Sequence, residues 1–358
     1  MISAVNSKHL NDSSQISASD KITSIKPDQL AKVESVLFQS DPIKPELIDE
    51  LHNMVFDESR AYKDDIYHPF TQVERLYNAI VVMKSGDLGR PAENSSNGAR
   101  LLNDSQGNPL YIFKGERLFE NFLINDVSGA KREQLAYLLD KDHQAMVPPT
   151  FFVDLNEFKL GVGSLQHYRN DVDRGTLSEN SNFLCDVSQI DQIMLRTIFI
   201  HDLLMINLDA GSNNLLMKNN CPIPIDFGYS LPCGIEERST DSIPSFDDRP
   251  FTDKEAQYIN QIDANSTLTL LKEHHIDESA INIQQNMILL LKSAVNTPGI
   301  TLKDLHRLYY SCTKTGGGWS GDPRVFFKGD IKTILLSCDL NNTSILIQKA
   351  LEKILANK

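Results

Sequence analysis

Apolar positions along this chain recur with two different periods. Leu110-Tyr111-Ile112-Phe113 closes on Lys114, follows the turn signal Asp104-Ser105-Gln106-Gly107-Asn108 and comes after the apolar pair Leu101-Leu102, so a hairpin leading into a lysine-bearing strand is predicted. Ile223-Pro224-Ile225 predicts a short buried strand, ending at Asp226-Phe227-Gly228 where the glycine would let the backbone turn. Helical spacing governs Gly129 to Asp140, and also Ala31 to Leu51 and Val73 to Val82, which are expected to pack on the same lobe. Beyond residue 265 the stripes Leu268 to Leu271, Ile281 to Val295, Leu302 to Tyr310, Ile331 to Leu336 and Ile345 to Leu355 predict a helical extension.

These patterns divide the chain into a polar mobile tail (1–30), N-terminal helices with a sheet-bearing small lobe (31–168), a large lobe (169–265) and the helical extension (266–358). The expected class is α+β and bilobal, with an antiparallel sheet plus helix in the small lobe and a mostly helical large lobe. The extension either completes the large lobe or forms a separate recognition module for a headgroup or a protein, and helical stripes alone leave both open.

Composition narrows the function. At 358 residues and 41% hydrophobic content there is material for two lobes, and no apolar run approaches the roughly twenty residues of a membrane span. A formal net charge of -13 argues against nucleic-acid binding and gives no overall attraction to an anionic bilayer. Five cysteines (Cys185, Cys221, Cys233, Cys312, Cys338) show no short-range pairing pattern, and no apolar leader is visible. A reducing, cytoplasmic setting is expected, which for a secreted effector would be the cytosol of a host cell.

Candidate chemistry sits in DLLMINLDAGSNNLLMKNNCPIPIDFGYSLP, Asp202 to Pro232. Asp209 can take a proton from an accepting hydroxyl, Asn214 five residues later can face a magnesium ion, and Asp226 after a strand can hold metal bridging the phosphates of ATP. That order is the outline of a kinase site. Upstream, Gly98-Ala99 would let backbone amides approach phosphates, Lys114 would meet them, and Glu133 can project from its helix toward Lys114. Two other motifs carry less. Glu273-His274-His275 lacks zinc-ligand spacing and reads as an exposed helix end, and Thr315-Gly316-Gly317-Gly318-Trp319 lacks the Gly-Lys-Ser/Thr ending of a phosphate loop and reads as an interhelical loop.

Together these residues resemble the catalytic domain of the phosphatidylinositol 3- and 4-kinase family, closest to its plant-type, type II-like 4-kinase branch. The resemblance runs through Arg132 to Asp140, Val147 to Thr150, Ser164 to Gln166, Asn207 to Asp209, Ile225 to Gly228, Leu231-Pro232 and Pro250 to Glu255, within residues 95 to 265. It implies an atypical protein-kinase-like fold, Lys114 on the ATP phosphates paired with Glu133, Asp209 as base, Asn214 and Asp226 as ligands of two magnesium ions, and the backbone at His167 and Tyr168 against adenine. A family built around inositol phosphates also suggests a soluble inositol polyphosphate as activator.

Departures from the family pattern bear on activity. Ala210 stands where an arginine usually follows the catalytic aspartate, Gly115-Glu116-Arg117 replaces a proline and acidic cluster, and the glycine loop is depleted at Asn97 and Arg100. An activating ligand is expected from these losses. The acidic balance, the absent lipidation cysteines and the lack of a concentrated basic run in Gly228 to Pro244 favour a protein Ser/Thr acceptor. Phosphatidylinositol is the alternative acceptor, and a catalytically silent nucleotide-binding module is the third reading.

Overall fold

The computed structural model describes residues 27–59, 62, 65–92, 98–116, 128–172, 174–176, 190–234, 248–311 and 328–358. It is an α+β protein of two lobes. The small-lobe sheet is antiparallel throughout, in the order β1-β2-β3-β5-β4, with β1 Arg90–Pro91, β2 Arg100–Asn103, β3 Pro109–Gly115, β4 Thr150–Leu155 and β5 Gly161–His167. The β2–β3 turn forms where the sequence predicts it. Asp104 Oδ1 accepts the N–H groups of Gln106 and Asn108, each at 2.8 Å, and Gly107 takes the left-handed conformation (φ 85°) the turn needs.

Strand alternation gives the sheet two different faces. Tyr111, Phe113, Phe151, Val153 and Leu165 pack into a core with three helices, α1 (Pro27–Leu37), α2 (Pro45–Ser59) and α3 (Pro69–Lys84). Each helix begins on proline, whose missing N–H costs nothing in a first turn. The expectation of helical order from Ala31 to Leu51 needs correcting, because the chain breaks between α1 and α2. There Ile43 adds to the sheet edge, donating to Phe152 O (2.8 Å) and accepting from Asp154 N (2.9 Å). The opposite face meets α4 (Gly129–Leu139), whose first turn is capped by Ser128 Oγ accepting from Ala130 N at 3.1 Å.

The large lobe holds a small sheet, β6 (Arg174–Thr176), β7 (Leu215–Lys218) and β8 (Cys221–Pro224), and α5 (Gln192–Met205), α6 (Asp253–Gln261), α7 (Ala264–Glu273), α8 (Glu278–Val295), α9 (Leu302–Ser311), α10 (Lys328–Leu335) and α11 (Leu340–Ala356). One core runs from Leu135 on α4 through Phe199 and Phe227 to Leu291 on α8 and Leu351 on α11. The helices after residue 265 therefore share their apolar interior with α5. His274 corrects another expectation: it is only 1% exposed and its Nδ1 meets Leu270 O at 3.0 Å, while His275 beside it is exposed. Thr315 to Trp319, Asn97, Arg117 and residues 1–26 lie outside the described residues. Among the described residues, no helix is long and apolar enough to cross a membrane.

A buried ion pair locks α6 to α5. Arg196 and Glu255, with side chains 0% and 1% exposed, meet through two bonds of 2.6 and 3.0 Å. Arg196 also donates to Pro250 O at 3.2 Å, and Glu255 closes a capping box with Thr252. Removing one partner strands the other charge in a dry interior. Arg196→Met is expected to lower the unfolding free energy by about 3–5 kcal/mol in urea titration, and Arg196→Met/Glu255→Leu by less than the sum of the single losses. Additive losses would mean that the pair is not coupled.

Candidate active site

Lys114 lies near the end of β3 and reaches across to α4, where its Nζ stands 2.7 Å from Glu133 Oε1. The same ammonium is 3.3 Å from Asp226 Oδ1. Burial opposes a charge on Lys114, but Glu133 and Asp226 together outweigh it and raise its pKa, so the side chain stays cationic. Two residues of β5 set this geometry. Ser164 is in register with Lys114 and donates its hydroxyl to the second Glu133 oxygen at 3.0 Å. At Gly163 a Cβ would stand 2.3 Å from Lys114 O and 2.7 Å from Phe113 Cε2, so only glycine lets the two strands approach this closely.

The β7–β8 hairpin carries Asn214 and Asp226 to one place. Leu215 pairs with Pro224, and just outside the ladder Ile225 N donates to Asn214 O at 2.9 Å. The turn after β8 is made by Asp226 itself, in the left-handed conformation (φ 64°), whereas Gly228 is not among the left-handed residues and a Cβ there would make ordinary contacts. The expected role of the glycine thus passes to the aspartate, a residue type whose short side chain tolerates that region.

Asp209 is exposed at the cleft and held by its neighbours. Asn214 Nδ2 donates to Asp209 O (2.8 Å) and Oδ2 (3.1 Å), which commits the amide nitrogen and leaves the Asn214 oxygen as its acceptor. Asn207 Oδ1 accepts Asp209 N–H at 3.1 Å, and Asn207 Nδ2 donates to Asp202 Oδ1 at 3.0 Å. Burial pushes the Asp202 carboxyl up to about 7, against the pull of that Asn207 bond. A cavity of about 10 Å3, room for roughly one water molecule, lies between Asp202, Asn207, Ala210 and Asn214. Ala210, where the family pattern has arginine, is buried.

Behind this loop His201 packs edge-on against Phe227 (5.5 Å between centroids, 80°), with its Nδ1 3.2 Å from Tyr258 OH. Burial lowers its pKa to about 3 and keeps it neutral.

At the strand connecting the lobes, the backbone expected to meet adenine runs through His167, at the end of β5, and Tyr168, just after it. His167 N donates to Pro149 O and Tyr168 N to Leu110 O, each at 2.8 Å, so neither N–H is available. The reciprocal bond to His167 O cannot form because Pro149 has no N–H. Among the described residues Arg169 N–H has no acceptor either. An unmatched carbonyl at His167 and an unmatched N–H at Arg169 form an acceptor–donor pair of the kind the edge of adenine complements. The Arg169 side chain is anchored away from it, bidentate to Asp171 at 2.7 and 3.0 Å, and Asp171 takes Lys218 Nζ of β7 at 2.5 Å.

Gly98 is left-handed (φ 66°) and Ala99 is buried, both at the base of the β1–β2 connection, and Ala99 O accepts Ala92 N–H at 2.8 Å. Arg100 donates to the carbonyls of Leu88 (3.0 Å) and Gly89 (2.8 Å), which gives it a structural task in the same hairpin. Sequence reasoning missed the parts played by Ser164, Asn207, Asp202 and Arg169. Only Asn207 carried a signal, since an asparagine two residues before a backbone N–H is the spacing of an Asx turn.

Asn214 and Asp226 suit a hard cation: the amide leaves its oxygen unused, and the Asp226 carboxylate has a second oxygen beyond the one facing Lys114. Among the described residues no cluster of three His, Cys, Asp or Glu side chains offers a competing site.

No family model matches the chain. Phosphatidylinositol 4-kinase gamma 8 of Arabidopsis thaliana is 28% identical over 209 residues, covering 49% of this chain and 36% of that protein. Phosphatidylinositol 4-kinase gamma 4 of rice (Oryza sativa subsp. japonica) is 28% identical over 214 residues, covering 54% and 34%. Its Arabidopsis namesake is 27% identical over 245 residues, covering 60% and 40%. The chain thus spans well under half the length of these relatives, and the likeness is to a 4-kinase-like group at low identity.

Two outcomes test the geometry. Ser164→Ala leaves a buried Glu133 oxygen without its donor and should cost about 1–3 kcal/mol in denaturant unfolding; unchanged stability would show that the bond contributes nothing. Because the folded pKa of His201 is about 3 and its unfolded value about 6.5, the unfolded chain alone binds that proton between these limits. Stability is therefore lost as pH falls from about 6.5 toward 3, by roughly 4 kcal/mol from this group, and His201→Leu should flatten that part of the curve.

Proposed function

We propose that this chain transfers the γ-phosphoryl group of ATP to an alcohol, with phosphatidylinositol as the acceptor. The observation that carries the transfer is Lys114 held between Glu133 and Asp226, beside a hairpin that sets Asn214 and Asp209 at the same cleft. An ammonium so placed is presented to phosphate oxygens, and Asp209, exposed at the cleft, would orient the incoming hydroxyl and accept its proton. Asn214 and Asp226 would hold magnesium, which when bound neutralises charge on the phosphates. With Ala210 after Asp209, the cation that this reading assigns to the phosphates is Lys114. The choice of an inositol lipid rests on what the relatives are called, phosphatidylinositol 4-kinase gamma.

A protein Ser/Thr hydroxyl is the second reading, favoured by the net charge of -13, which gives the chain no overall attraction to an anionic bilayer. The two separate in one assay. The full chain is given labelled ATP and magnesium with phosphatidylinositol vesicles and with protein substrates, in the presence and absence of a soluble inositol polyphosphate. Label in lipid is expected, lowered at least about a hundredfold by Asp209→Asn and abolished by Asp226→Ala. Label in protein alone would replace the acceptor, and turnover unchanged in both variants would overturn the active site.

A further inference from the structure

Among the described residues, the helical layer behind the small lobe meets the end of β5 through Arg75. Arg75 on α3 is half-buried, and its guanidinium meets Nε2 of His167, the last residue of β5. A guanidinium only donates, so Nε2 must accept and the ring proton is confined to Nδ1. The neighbouring Glu74 is paired instead with His52 at 3.0 Å, and among the described residues Arg75 has no carboxylate partner. An arginine spent on a neutral imidazole, with no carboxylate to match it, is poorly explained as a solvated surface charge.

His167 is the residue whose carbonyl is left unmatched by Pro149. Its ring lies edge-on to Tyr111 at 6.1 Å and 83°, on the face of the sheet turned away from Lys114. Burial, then Arg75 and Arg169, lower the pKa of His167 to about 3, so the ring stays neutral and remains an acceptor for Arg75. On the far side of this residue, Arg169, Asp171 and Lys218 tie the connecting strand to β7. The segment bearing the acceptor–donor pair is thereby clamped at both ends, by α3 and by the large lobe.

We propose that Arg75 is a positioning residue for the base of the bound nucleotide, fixing through His167 the carbonyl that receives it, so that the N-terminal helices are part of the nucleotide site. This rests on the nucleotide site proposed above. Without Arg75 the buried ring loses its donor, is free to change tautomer and rotate, and no longer holds the end of β5. The phosphate end of the site, built on the opposite face of the sheet, is untouched. The effect therefore falls on the base and not on the phosphoryl step.

The test is calorimetric binding of adenosine and of ADP to the full chain, with steady-state kinetics alongside. For Arg75→Met, affinity for both is expected to fall by the same factor, about five- to tenfold, with KM for ATP rising in step and kcat changing less than about twofold. Arg75→Lys should recover most of the loss, and adding Arg75→Met to His167→Leu should cause no further loss. Arg75→Gln, which keeps a donor without the charge, is the second variant should the first fail to fold. Unchanged adenosine affinity in a folded variant overturns the proposal, as does a fall in kcat with KM intact. A wild-type chain that binds neither adenosine nor ADP overturns the nucleotide site itself, a result distinct from normal binding that Arg75→Met leaves unaltered.

Discussion

One half-buried ammonium ion meets carboxylates from both lobes. Lys114 Nζ is shared by Glu133 on α4 and Asp226 beyond β8, and without the ammonium these two carboxylates would face each other with no counter-charge between them. That requirement fixes the distance between the small-lobe sheet, the helix behind it and the large-lobe hairpin. It explains the company the lysine keeps: a glycine where the strands must touch, and a serine whose hydroxyl holds the far oxygen of Glu133. The aspartate that contributes the second carboxylate is left-handed and stands just before Phe227 enters the core.

The large lobe makes its end of this arrangement rigid by linking polar side chains to one another. Asp202, Asn207, Asp209 and Asn214 form a connected chain of hydrogen bonds, so the loop between α5 and β7 is held largely by side chains. Arg196 and Glu255 do the same on the other side of α5, where the chain returns at Pro250 and enters α6. Beside these polar anchors runs continuous apolar packing from α4 to α11.

Helices α1 to α3 cover the back of the sheet with the aromatic face of β3 and β4. Their contribution to the site comes through the end of β5, where a proline opposite His167 removes one ladder bond and opens a carbonyl. A backbone acceptor produced by the absence of a donor across the sheet depends on strand register, which is a property of the assembled lobe.

Much of this architecture was legible from residues. Period-two alternation before Lys114 and the Asp104–Asn108 turn gave the β2–β3 hairpin, and helical stripes gave α4 and the helices after residue 265, because local periodicity and turn chemistry are sequence-local forces. The order Asp209, Asn214, Asp226 and the lysine–glutamate pairing were readable for the same reason: each lies on or beside a short element whose direction its neighbours set. What escaped was decided by contacts between distant segments. Pro42 and Pro45 forbid a continuous helix around Ile43, but only the assembled lobe pairs Ile43 with the edge of β4; His274 is buried because α7 ends against a core, and the turn expected of Gly228 falls on Asp226, whose carboxylate lies beside Lys114. Ser164, Arg169 and Arg75 acquire meaning only from register and proximity, and no periodicity within one segment can encode which atom across the fold will be left without a partner.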